Sequence, residues 1–179
     1  MEEIYDEIIR FHGHSCPGLA IGYRMAVAAL EFLSDKKSRD EELVAIVENN
    51  ACGVDAVQYV TGCTFGKGNL IFKDFGKHVY TFFNRGSKKG IRVVFRHKNV
   101  PDTLKNDRNK LIDWLLSEPE EKIVSVEAVD IMEPETARIV ETVTCQSCGE
   151  GVMKTRTKIV NNRIMCIPCS EKIKMDAQI

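Results

Sequence analysis

Two CxxC pairs, Cys145-Gln146-Ser147-Cys148 and Cys166-Ile167-Pro168-Cys169, stand 17 residues apart and divide what this chain can fold into. The spacing is that of a four-thiolate tetrahedral zinc site. Between the pairs, Val152 to Lys158 and Ile164 to Cys166 are expected to pair as strands around Asn161-Asn162. A short helix is expected from Ser170 to Met175, giving a treble-clef or ribbon-like zinc finger over residues 145–179. So small a piece lacks a core of its own, and the metal supplies much of its folding free energy. Four thiolates close the coordination sphere, so the role is structural. A redox-active CxxC pair would need a thioredoxin-like surround that the sequence lacks.

The remaining residues suffice for one core of ordinary size. Hydrophobic content of 44% and charged content of 28% are those of a globular protein. A net charge of −1 argues against general nucleic-acid binding. The finger's six Lys/Arg against three Asp/Glu permit nucleic-acid contact, and docking to a protein equally. No apolar run reaches the roughly 20 residues needed to span a bilayer. The acidic, amphipathic start MEEIYDEIIRF is unlike a signal peptide. Seven cysteines, four of them in CxxC pairs, point to reduced thiols and metal, and so to the cytoplasm.

Residues 1–132 read as this core, 133–144 as a linker and 145–179 as the finger. After a short leading helix, the run from Gly18 to Leu33 predicts a largely buried helix. Leu43 to Val47 reads as a buried strand, and Ala51 to Val60 as a helix with Asn50 as its N-cap. Leu70–Lys73, His78–Phe83 and Ile91–Arg96 predict three strands joined as a hairpin meander. A helix starting at Asp102 or Thr103 should stop before Pro119, and Ile123 to Val129 alternates like an edge strand. Nine Lys/Arg against two Asp over residues 85–110 suit a solvated face or, less commonly, an anionic ligand or acidic partner.

Chemistry concentrates ahead of the long helix, in Phe11-His12-Gly13-His14-Ser15-Cys16-Pro17-Gly18. Pro17 suits a first helical turn, which puts Cys16 at a helix N-terminus, where the dipole favours thiolate. Cys52 falls in the same setting at the next helix. The glycine-rich loop Thr61 to Asn69 surrounds Cys63, and its N–H groups and Lys67 are placed to meet a ligand or anion.

FHGHSCPG, ENNACGVDAVQYVTGCTFGKGNL and FKDFGKHVYTF together resemble the FmdE/FwdE-like family of formylmethanofuran dehydrogenase subunits, over about residues 8–100. Many members of that family carry a C-terminal zinc finger. The resemblance implies an α+β core with a mixed sheet, grouped with the catalytic-domain fold of glyceraldehyde-3-phosphate dehydrogenase. It implies a homodimer with the motif residues in a cleft near the dimer interface, and any full dehydrogenase activity would need other subunits. Carried onto this sequence, the candidate site residues are His14, Cys16, Cys52, Asp55 and Cys63, with Lys67 for an anionic cofactor. Two chemistries stay open. His14, Cys16 and Cys63 form a second transition-metal site with an open position, Asp55 orienting an imidazole. Alternatively Cys16 or Cys63 is a nucleophile with His14 as its base. His12 reads as a helix-start or interface residue. The expected function is a metal-binding subunit, accessory or catalytic, in molybdenum- or tungsten-pterin-linked redox metabolism. The alternative is a non-enzymatic adaptor or regulator acting through the finger.

Overall fold

The computed structural model describes residues 2–34 and 37–176, the side chains of Glu2 and of 174–176 excepted. The chain forms two compact units, Met1–Ala137 and Arg138–Ile179.

The first unit is α+β. Its helices are α1 (Glu2–His12), α2 (Pro17–Leu33), α3 (Gly53–Thr61), α4 (Arg108–Ser117) and the single turn α5 (Glu120–Ile123). Its strands are β1 (Leu43–Val47), β2 (Leu70–Phe72), β3 (Val79–Asn84), β4 (Lys89–Phe95) and β5 (Val124–Val129). They make one mixed sheet in the order β2-β1-β3-β4-β5. The expected meander holds for β3, β4 and β5, which pair antiparallel in sequence. It fails for β2, which pairs parallel with β1. A parallel pair needs a crossover, and α3 with its flanking loops supplies it.

Every second residue of the central strands (Leu43, Ala45, Val47; Tyr80, Phe82; Ile91, Val93, Phe95) joins the core formed with the helices. This follows from the two-residue period of a strand. α2 is apolar nearly all round because it has neighbours all round: α1, α3, α4, α5 and strands β3 to β5. Arg24, its one buried cation, donates to Leu115 O at 2.6 Å and Glu118 O at 2.8 Å. These carbonyls lie at the end of α4, where they have no helical donor. α4 itself starts later than the sequence suggests: Asp107 caps it by accepting from Lys110 N (3.1 Å), and 102–104 form only a 3-10 turn. For α3 the expected cap at Asn50 is replaced by Asn49, whose Oδ1 accepts from Ala51 N at 3.0 Å.

Residues 133–137, read as linker, are held to the first unit. Arg85 donates to the carbonyls of Pro134 and Glu135, and Ala137 N donates to Glu41. The loop before β1 is closed by Glu42, whose Oε2 accepts from the Ser38 hydroxyl (2.7 Å) and Asp40 N (2.9 Å). Those donors, the Ser38 hydroxyl first, hold the Glu42 carboxyl at about 2. A carboxyl whose pKa falls on folding adds stability above its unfolded value and loses it as pH drops through the folded one. Glu42→Gln is therefore expected to lower stability at neutral pH and to flatten the acid loss between pH 4.5 and about 2, read by circular dichroism during acid titration.

In the second unit β6 (Thr142–Thr144) pairs with β7 (Gly151–Met153), and β8 (Thr157–Val160) with β9 (Arg163–Cys166). α6 (Ile167–Asp176) follows directly. The expected long strand from Val152 is thus two short ones, separated by a 3-10 turn at Lys154–Arg156. Asn161 and Asn162 both take positive φ (48° and 58°), the turn that matches strand twist in a two-residue hairpin.

Among the described residues no helix is long and apolar enough to cross a membrane.

Candidate metal centre

Four side chains from three segments converge where α2 and α3 begin. His12 ends α1. Gly13, at φ 98°, donates its N–H to Ile9 O (2.7 Å) in the left-handed turn that commonly stops a helix. That turn folds the chain back, so the rings of His12 and His14 lie 4.5 Å apart. Cys16 then caps α2, its Sγ accepting from Leu19 N at 3.3 Å, as Pro17 at the first helical position predicts. Cys52 caps α3, with no capping hydrogen bond from its side chain.

What brings the two helix starts together is a glycine contact. A Cβ on Gly22 would lie 2.1 Å from Gly53 O, and one on Gly53 would lie 2.7 Å from Tyr80 Oη. Gly18 sits between the thiols; its Cβ would be 3.4 Å from Cys52 Cβ and 3.9 Å from Cys16 Sγ. Only backbone this bare lets both thiols sit at electropositive helix ends within reach of one another.

One ligand atom each from His12, His14, Cys16 and Cys52 lies within 4.8 Å of all the others. Metal bonds of about 2.0–2.3 Å would set such atoms roughly 3.3–3.8 Å apart, so closure on a metal requires only small side-chain movements. The electrostatics fit. His12 Nδ1 lies 2.6 Å from Asp55 Oδ2, and Asp55 Oδ1 accepts from Gln58 Nε2 at 3.3 Å. A carboxylate only accepts, so it fixes the proton on Nδ1 and leaves Nε2 with a lone pair. That Nε2 is buried and, among the described residues, has no hydrogen-bond partner. Burial, and then the adjacent Cys16 thiol, push the Cys52 thiol above its ordinary value. A dication reverses such a shift outright by deprotonating a coordinating thiol. His14 is the exposed member of the set.

Several expectations need correcting. Cys63 is not in the cluster: it is fully buried, and its thiol donates to Leu43 O at 3.2 Å. It belongs to the packing under β1. Asp55 does orient an imidazole, but that of His12 and not of His14. His12, read only as a helix-start or interface residue, is the buried member of the set. Its signal was its position at the end of an amphipathic helix facing an acidic first turn in α3. The loop 61–69 does not present its N–H groups to a ligand. Gly62 N, Cys63 N, Thr64 N and Gly68 N donate to Gln58 O, Thr61 Oγ1, Asn69 Oδ1 and Phe65 O. Lys67 Nζ is likewise used, donating to Asp40 O at 3.0 Å.

In the second unit Cys145, Cys148, Cys166 and Cys169 bring their four sulfurs within 4.8 Å of one another. The backbone N–H of Cys148, then those of Cys166 and Ser147, bring the Cys145 thiol down to about 6. This favours the thiolate that zinc binds.

Comparison with known proteins agrees with this division. Residues 138–174 match the prokaryotic dksA/traR C4-type zinc finger. A curated relative from Archaeoglobus fulgidus, described as a probable S-adenosyl-L-methionine-binding protein, is 36% identical over 176 residues. The match covers 83% of this chain, which spans about half (48%) of that relative's length. The crystal structure of an FmdE-like protein of tungsten formylmethanofuran dehydrogenase, from Syntrophus aciditrophicus, shares the fold. Its TM-score is 0.72 at 24% identity, over 96% of this chain and 92% of that one. Residues 11–143, which hold all four converging side chains and the whole sheet, match the family model of FmdE, molybdenum formylmethanofuran dehydrogenase operon, and the chain is a member of the FmdE family with a C-terminal four-cysteine zinc finger.

Proposed function

We propose that the N-terminal unit is a metal-binding domain whose centre takes one zinc-class transition metal. His12 Nε2 and the Cys16 and Cys52 thiolates hold it, and His14 is the fourth, exposed donor. Nitrogen and thiolate ligands of this kind suit zinc and its borderline-soft neighbours. The observation that carries this is His12 Nε2, buried and unpartnered while Asp55 fixes the other ring nitrogen. An orphaned buried acceptor costs about 1–3 kcal/mol, and a metal bond removes that cost. When bound, such a metal acts as a Lewis acid toward a ligand at an open position. The chain's part is to hold the imidazole tautomer with Asp55, keep both thiols at positive helix ends, and leave the His14 side accessible.

In this reading the chain is an accessory or catalytic subunit of the formylmethanofuran dehydrogenase type, working as a homodimer with other subunits. The finger then serves as a structural, partner-facing module. The Archaeoglobus relative's description adds S-adenosylmethionine to the ligands to be assayed, by isothermal titration. The test of the centre is zinc content and affinity. The full chain is expected to bind two zinc ions, one in each unit. Asp55→Asn is expected to weaken the N-terminal one by roughly 10–100-fold, as loss of an imidazole-orienting carboxylate does. Unchanged affinity in a competition titration with a chelator would refute the assignment.

A further inference from the structure

What the exposed side of the centre receives follows from the charges around it, given the metal reading above. With two neutral imidazoles and two thiolates, a bound dication leaves the cluster without net charge. Two helix N-termini, those of α2 and α3, add positive potential. A third positive group comes from outside the motif. Arg108, the first residue of α4, donates from Nη2 to Ser15 O at 3.0 Å. Ser15 lies between His14 and Cys16, so the guanidinium is seated on the segment that carries two of the four donors.

Arg108 differs from its neighbours in the basic stretch. Lys105 pairs with Asp102 (2.6 Å) and Lys110 with Asp107 (3.0 Å). Among the described residues Arg108 has no carboxylate partner, and its contact with a single carbonyl uses one of five N–H donors. Asp55, the acidic group of the cluster, is already engaged by His12 and Gln58. The rim of the centre therefore carries a cation with unused planar donors and, among the described residues, no anion to meet it. The buried, unpartnered His12 Nε2 independently marks the same place as a ligand site.

We propose that the centre binds a small carboxylate ligand on its His14 side, one oxygen on the metal and the other paired with Arg108. Carboxylate is the class that fits, because a guanidinium fork matches its two oxygens, as an ammonium would not. His14, exposed and held among the described residues by nothing besides its ring contact with His12, is the donor that yields the position. The sequence marked residues 85–110 as an anion-receiving stretch only in aggregate; one residue of it faces the centre.

The test uses the full chain with zinc in the finger and cobalt(II) as the second equivalent, titrated with acetate at constant ionic strength. The thiolate-to-cobalt charge-transfer band, measured against a Cys16→Ala/Cys52→Ala blank, reports the metal. Acetate is expected to shift the cobalt d–d bands saturably, and acetamide, uncharged and of the same shape, to do so at least tenfold more weakly. Arg108→Gln should keep the charge-transfer band and lose acetate affinity at least tenfold. Arg108→Lys should recover only part of it. His14→Ala should keep cobalt and bind acetate no more weakly than the native chain. Equal acetate affinity in Arg108→Gln, or equal effects of acetate and acetamide, would overturn the proposal while leaving the metal centre intact. Absence of the charge-transfer band in the native chain would overturn the metal centre itself.

Discussion

Replacing Cys16 and Cys52 together with alanine is expected to lower bound zinc from two equivalents per chain to one, with the finger still folded. Both thiols sit at helix N-termini and share a cluster with His12 and His14, so their loss leaves two imidazoles, too few donors for a zinc site of ordinary affinity. The four finger cysteines belong to the other compact unit and keep their sulfurs. The informative contrast is Cys63→Ala. That thiol is as buried as any in the chain, but it donates to Leu43 O within the core and lies outside the cluster. Its removal is expected to cost about 1–2 kcal/mol in packing and a hydrogen bond and to leave two zinc equivalents. Metal analysis of the desalted variants, with circular dichroism as the folding check, separates the cases. A zinc count insensitive to Cys16 and Cys52, or lowered by Cys63→Ala alone, would contradict the centre.

The second large effect comes from a residue that touches no metal. Gly22→Ala places a methyl 2.1 Å from Gly53 O and 2.6 Å from Gly53 C. These are backbone atoms, so no side chain can swing aside and the first turn of α3 must move away from α2. Overpacking of this kind costs about 1–3 kcal/mol and sometimes more. Here the upper end is expected, because Gly53 is confined from behind by Tyr80 Oη. For a chain of this size each kcal/mol lowers the melting temperature by about 2–4 °C, so a fall of roughly 10 °C follows. Cys52 immediately precedes Gly53, so the same displacement opens the cluster, and metal affinity falls along with stability. Gly66→Ala is the control: its Cβ would meet nothing within 4 Å. It is expected to change stability by no more than about 0.5 kcal/mol. Equal melting temperatures for the two variants would show that the helices do not approach as described.

How far the sequence disclosed this arrangement depended on whether the signal was local. The finger was legible because its ligands recur in pairs at fixed spacing, and tetrahedral zinc dictates that spacing. Cys16 was legible because Pro17 marks a helix start. The parallel pairing of β2 with β1 was not, since strand order depends on which edge is free once α3 has crossed over. Choosing between Cys52 and Cys63 was equally out of reach. Both follow a glycine-bearing helix end or start, and only the Gly22–Gly53 contact shows which one is drawn toward Cys16. His12 and His14 flank one glycine symmetrically in sequence. The φ of 98° at Gly13 makes one the buried partner of Asp55 and leaves the other exposed.

The most direct measurement is an anomalous difference map at the zinc edge from crystals of the full chain grown with zinc. Two peaks per chain are predicted: one among the four finger sulfurs, and one bonded to His12 Nε2, Cys16 Sγ and Cys52 Sγ with His14 beside it. A single peak at the finger, with His12 Nε2 facing an ordinary water, would contradict the account.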